Sequence, residues 1–110
     1  MEGMTYQAMD AASVPDGAYL LDVREHDEWQ AGHAPTAVHI PLGELGVRLD
    51  EVPKDRGVYL ICRSGVRSAH AAAHMAQGGW TAINVEGGMQ AWAAAGRPMI
   101  SDTQYPPFVA

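Results

Sequence analysis

The sequence predicts an α/β domain, a parallel-rich sheet with helices on both faces. Three observations carry that expectation. Short apolar runs of strand length alternate along the chain with segments of helical spacing. The apolar runs are nearly continuous, as strands covered on both faces must be. Gly, Pro and Asp mark the joints, and 12 glycines imply many tight connections.

The elements follow in order. Residues 4–9 form a marginal edge strand. "AYLLDV" (18–23) comes after the turn signal Pro15, Asp16, Gly17 and reads as a buried strand. "REHDEWQAG" (24–32) places Glu25, Asp27 and Glu28 in the first turn of a short helix that Gly32 stops. "AVHIP" (37–41) is a second short strand, ended by Pro41. "LGELGVRLDEVP" (42–53) sets Leu42, Leu45 and Leu49 at helical spacing before Pro53 closes it. "GVYLIC" (57–62) is the next buried strand. A helix over 67–77 has Ala69, Ala72, Ala73 and Ala76 on the face expected to meet the sheet, with His70, His74 and Gln77 on another. "TAINVE" (81–86) is the last strand. A helix over 88–95 shows Met89, Trp92 and Ala93 as its apolar stripe. Beyond it, "RPMISDTQYPPFVA" has no period, and Pro106 and Pro107 exclude a helix. The domain is therefore expected over 1–98, with an extended tail, 99–110, docked through Tyr105 and Phe108.

Composition narrows the function. A chain of 110 residues suits one core that buries roughly two-thirds of its unfolded surface. Hydrophobic content of 47% and charged content of 18% are globular values. A net charge of −6 argues against a nucleic-acid partner. No apolar run approaches the ~18 residues of a membrane helix. "MEGMTYQAMD" has neither a basic nor an apolar run, and one cysteine forms no disulfide framework, so a cytoplasmic setting is expected.

That cysteine sits in "CRSGVRS" (62–68), between a strand and a helix, where ligands gather in parallel sheets. A lone cysteine after "YLI" is most simply a small buried hydrophobe. Two arginines, a glycine and two serines in the next six positions reverse that reading, because a structural turn has no use for paired guanidinium groups. Unpartnered N–H groups at the helix start would converge on the Cys62 sulfur. Arg63 and Arg67 add charge, Gly65 lets the backbone turn, and Ser64 and Ser68 offer hydroxyls. Such surroundings lower a thiol pKa into the range of about 3.5–7.5. Four residues separate Cys62 from Arg67, a narrower loop than the Cys-x5-Arg ring that wraps a phosphate. His70 and His74 have i, i+4 spacing, but nothing in their helix completes a metal set, so they read as a solvated face and no metal or cofactor is expected. Trp29, Trp80 and Trp92 read as packing and His33 as a turn residue. "VEGG" lacks the full dinucleotide pattern and reads as a turn passing close to the Cys62 loop.

Three segments together resemble the single-domain rhodaneses, thiosulfate sulfurtransferase-like proteins. They are "LLDVREHDEWQAGHAPTAVHIP" (20–41), "CRSGVRS" (62–68) and "VEGGMQAWAAAGRP" (85–98). Ala34 and Thr36 depart from the family's usual Ile and Gly, outside the reactive loop. The resemblance implies a rhodanese-like three-layer fold with a five-stranded, mostly parallel sheet. It implies that thiolate Cys62 takes the outer sulfur of a donor such as thiosulfate and passes it to cyanide or an external thiol, with a sulfur-relay protein as a further partner. Residues 63–68, including Val66, would form the substrate loop, and Arg63 or Arg67 would bind the departing sulfite. Asp22 and Arg24 would brace the loop or simply form a structural ion pair. Two other readings stay open: a non-catalytic sulfur-binding module, and a phosphatase or arsenate reductase on the same fold.

Overall fold

The computed structural model describes residues 5–110. Among these residues five strands form one sheet: β1 (Gln7–Asp10), β2 (Tyr19–Asp22), β3 (Val38–His39), β4 (Gly57–Ile61) and β5 (Thr81–Glu86). Their spatial order is β1-β5-β4-β2-β3, and every pairing is parallel, so "mostly parallel" becomes wholly parallel. The helices are α1 (His26–Ala31), α2 (Leu42–Leu45), α3 (Val66–Gln77) and α4 (Gly88–Ala94). The edge strand is there as Gln7–Asp10; Met4, in the expected span, lies outside the described residues.

Period-2 alternation divides the strand residues between two cores. Leu21, Val58, Leu60 and Cys62 face Ala71, Ala72, Met75 and Ala76 of α3. Leu20, Ile61 and Val85 face Met89 and Trp92 of α4, with Ala11, Val14 and Ala34. This two-sided burial is why the strands read as continuous apolar runs. The connection leaving β2 runs outward to β3, whereas the one leaving β4 crosses to β5 on the other side. The two carboxyl ends, paired at Asp22 and Ile61, thus flank a topological switch point. Cys62 follows directly.

Three expectations are corrected. Residues 42–53 are not one helix: α2 stops at Leu45, and a separate 3₁₀ turn covers Leu49–Glu51. Gly46 and the β-branched Val47 weaken the helix there, and only Leu45 is buried in it. The sheet-facing side of α3 is Ser68, Ala71, Ala72, Met75 and Ala76, turned from the expected Ala69 and Ala73. Tyr105 and Phe108 do not dock the tail, since both side chains are exposed. The tail is held by its backbone. Ile100 exchanges two hydrogen bonds with His33 (2.8 and 2.9 Å), and the Asp102 and Phe108 N–H groups donate to Gln30 and Ala31 carbonyls.

Candidate active site

The 62–68 loop is built by directing its peptide groups. At the start of α4, the N–H groups of Met89 and Gln90 donate to the carbonyls of Cys62 (2.7 Å) and Arg63 (3.0 Å). A trans peptide points its C=O and N–H in opposite directions. Pulling these two carbonyls toward α4 therefore turns the N–H groups of Arg63 and Ser64 away from it. The Gly65 carbonyl is held in turn by Asn84 Nδ2 at 3.2 Å. Gly65 takes φ +101°, in the left-handed region, and opens α3. Gly88 has φ +56°, and a Cβ there would run into the carbonyl of Cys62 and the backbone of Arg63. The "VEGG" turn thus does lie against the loop.

Cys62 Sγ collects the donors that remain. It accepts from Gly65 N–H at 3.1 Å, Ser68 N–H at 3.4 Å and Ser68 Oγ at 3.2 Å. Burial pushes the thiol pKa up, for the residue is only 1% exposed. The Ser68 hydroxyl and the N–H groups of Ser68, Gly65 and Ser64 outweigh burial together, and the net shift is downward. Cys62 belongs to the apolar core and still faces a ring of donors. Arg63, Ser64 and the apolar Val66 are exposed at the rim.

The two arginines are not equivalent. Arg67 makes a two-pronged ion pair with Glu28 of α1, Nη1 to Oε1 at 2.8 Å and Nη2 to Oε2 at 2.9 Å. The Arg67 guanidinium holds Glu28 below its usual carboxylate range, and Glu28 raises Arg67. Arg63 donates through Nε to the main-chain oxygen of Ala110 at 2.9 Å. Among the described residues, no Asp or Glu side chain pairs with Arg63.

Asp22 and Arg24 form a fully buried ion pair at 2.8 Å. Arg24 also donates to the carbonyls of Glu28 (3.3 Å) and Gly32 (2.7 Å). These bonds fix the turn after α1 to the end of β2 and do not touch residues 62–68. The link to the loop is indirect: Arg24 holds the Glu28 backbone, and the Glu28 carboxylate holds Arg67. His70 and His74 are exposed, as their helix face suggested. Trp92 is buried, and its Nε1 donates to the Pro98 carbonyl; Trp80 Nε1 donates to that of Val52. Trp29 stacks with His33 (3.5 Å between ring centroids) and with His39 (4.7 Å). A cavity of about 320 Å³ beside Trp92 and Arg97 shares no residue with the Cys62 loop.

Sequence reasoning missed two participants, Glu28 and Asn84. Asn84 Oδ1 accepts from Ser68 Oγ at 2.6 Å. Its signal was an amide inside "TAINVE", since a polar side chain in a strand buried on both faces needs partners.

A wholly parallel five-stranded sheet with a cysteine loop at its switch point defines the rhodanese-like class, and comparison with known proteins agrees. The rhodanese-like domain family matches residues 5–95, and the chain belongs to that family. It is 41% identical over 80 residues to the putative sulfurtransferase YtwF of Bacillus subtilis, covering 73% of this chain and 78% of that one. It is 40% identical over 83 residues to a sulfurtransferase of Allochromatium vinosum, covering 74% and 78%. A crystal structure of a rhodanese-related protein from Thermoplasma volcanium superimposes with a TM-score of 0.82 at 33% identity, covering 86% of this chain and 98% of that one.

Proposed function

We propose that this protein is a sulfurtransferase that carries one sulfane sulfur as a persulfide on Cys62. The observation that carries the reading is the convergence of Gly65 N–H, Ser68 N–H and Ser68 Oγ on a single sulfur. Such a ring favours the thiolate as nucleophile and then favours the persulfide anion that replaces it. With thiosulfate as donor, the thiolate attacks the outer sulfur, a new S–S bond forms and the old one breaks. Its electron pair leaves on sulfite, and total charge is unchanged. An external thiolate or cyanide then attacks the terminal sulfur and restores Cys62, so no further cofactor enters the balance. Arg63, exposed at the rim, would exchange its bond to the Ala110 main-chain oxygen for sulfite oxygens. The acceptor is external because Cys62 is the only cysteine of this sequence, and a sulfur-relay protein would fit that role.

The reading is tested by mixing the protein with thiosulfate and, separately, with an alkyl persulfide, then measuring intact mass. One added sulfur, removable by cyanide or a thiol, is expected with at least one donor. Cys62→Ser should abolish both uptake and turnover. Turnover that survives in that variant rejects the assignment, and Cys62-dependent hydrolysis of an aryl phosphate would replace it.

A further inference from the structure

Resting on the sulfurtransferase reading, we propose that Glu28 selects the donor: by neutralising Arg67 it biases the site toward persulfides of low charge and away from dianionic thiosulfate. The loop carries two guanidinium groups in sequence, and among the described residues only Arg63 is held by a main-chain oxygen and by no carboxylate side chain. The Glu28 carboxylate grips Arg67 with both oxygens, at 2.8 and 2.9 Å. It is fixed from its own side as well, because Oε1 accepts the Glu25 N–H at 2.9 Å in the capping box of α1. Its side chain is only 14% exposed, against 34% for that of Arg67, so water screens the pair in part and from the Arg67 side. Arg67 is therefore committed in direction as well as in charge. Glu25 and Asp27 add negative charge on the same helix start.

The two donor classes differ in what they ask of the loop. Thiosulfate brings two negative charges beside a thiolate, and sulfite carries both away. That exchange profits from every uncommitted cation. An alkyl persulfide brings at most one negative charge, and the form that the thiolate can attack is the protonated R–S–SH. The Cys62 thiolate attacks its terminal sulfur, the S–S bond breaks, and its electron pair leaves on RS⁻, which takes up the proton. No oxyanion forms, so Arg63 alone suffices.

The test compares Cys62 persulfidation rates with thiosulfate and with the persulfide of N-acetylcysteine amide, in wild type and Glu28→Gln. The Gln amide still offers Arg67 a hydrogen-bond acceptor while returning its charge to the loop. The kcat/KM ratio of thiosulfate to persulfide should rise about fivefold or more, and sulfite should inhibit more tightly. The double variant Glu28→Gln with Arg67→Gln should bring the ratio back to the wild-type value. A merely structural role would lower both rates together and leave the ratio unmoved, which overturns the proposal. Should Glu28→Gln fold poorly, Arg63→Gln decides. It should cost thiosulfate about tenfold and the persulfide less than about threefold, whereas equal losses overturn the proposal. Sulfur taken from neither donor would instead defeat the sulfurtransferase reading itself.

Discussion

Ser68 has one hydroxyl proton and two acceptors, Cys62 Sγ at 3.2 Å and Asn84 Oδ1 at 2.6 Å. The Asn84 amide cannot turn freely, since its Nδ2 donates to the Gly65 carbonyl. When the sulfur is a thiol, its proton can go to Ser68 Oγ while the hydroxyl serves Asn84. When the sulfur is a thiolate, the hydroxyl turns to it. Ser68→Ala removes that choice. A hydrogen bond to a charged group contributes about 1.5–3 kcal/mol, and one pKa unit corresponds to about 1.4 kcal/mol. The pKa of Cys62 is held down by its donors, so losing one must raise it. The midpoint of iodoacetamide alkylation against pH should therefore move up by about one unit. A midpoint that stays or falls would show the hydroxyl bound to Asn84 in both states. At this scale the cysteine, its glycine and its serine were readable because all sit within seven consecutive positions. Asn84 and Glu28 come from β5 and α1; the amide in a buried strand marked Asn84 as needing partners, but nothing linear tied either residue to the loop.

Between elements, the contact that shapes the site is α4 on the 62–68 loop. Two N–H groups of α4 serve loop carbonyls, and Gly88 allows the approach. Gly88→Ala would place a Cβ against Cys62 O and Arg63 C in a backbone conformation that disfavours it. The expected cost is about 2–4 kcal/mol, read as a lower urea midpoint. Loss of persulfidation should accompany it, because the loop carbonyls must swing from α4 and the inward N–H groups turn with them. Unchanged stability would mean that α4 shifts without strain. The glycine pair was legible as a turn passing close to the Cys62 loop, yet the carbonyls that α4 holds there were not. The misread α3 face has a plain cause: alanines at 69, 71, 72, 73 and 76 fit several helical phases equally well. What sets the phase is the loop, which points Ser68 at Cys62 and so places Met75, two turns on, in the core. The 42–53 segment failed for the opposite reason, as leucine spacing outvoted a glycine that ended the helix.

At the scale of the whole molecule, the alternating runs made the sheet and its layers legible, because burial on both faces leaves a mark in every strand. The course of the tail left no such mark. Its attachment is mostly main chain, which any residue but proline supplies. It pairs Ile100 with His33, brings the Asp102 carboxylate to His33 Nε2 at 3.0 Å and passes so close to Gly32 that a Cβ there would meet Phe108 N at 2.8 Å. Met99 and Val109 rest on the α4-side core, and Ala110 reaches Arg63. If residues 99–110 were an appendage, cutting the chain after Pro98 would cost nothing. The bonds lost argue otherwise, for each such hydrogen bond contributes about 0.5–1.5 kcal/mol net, less the entropy of ordering the tail. A loss of about 2 kcal/mol should lower Tm by roughly 10 °C in a domain of this size. The truncated domain should still fold, since the strands and both helix layers are untouched. A Tm within about two or three degrees of the full chain would show the strap to be laid on without holding.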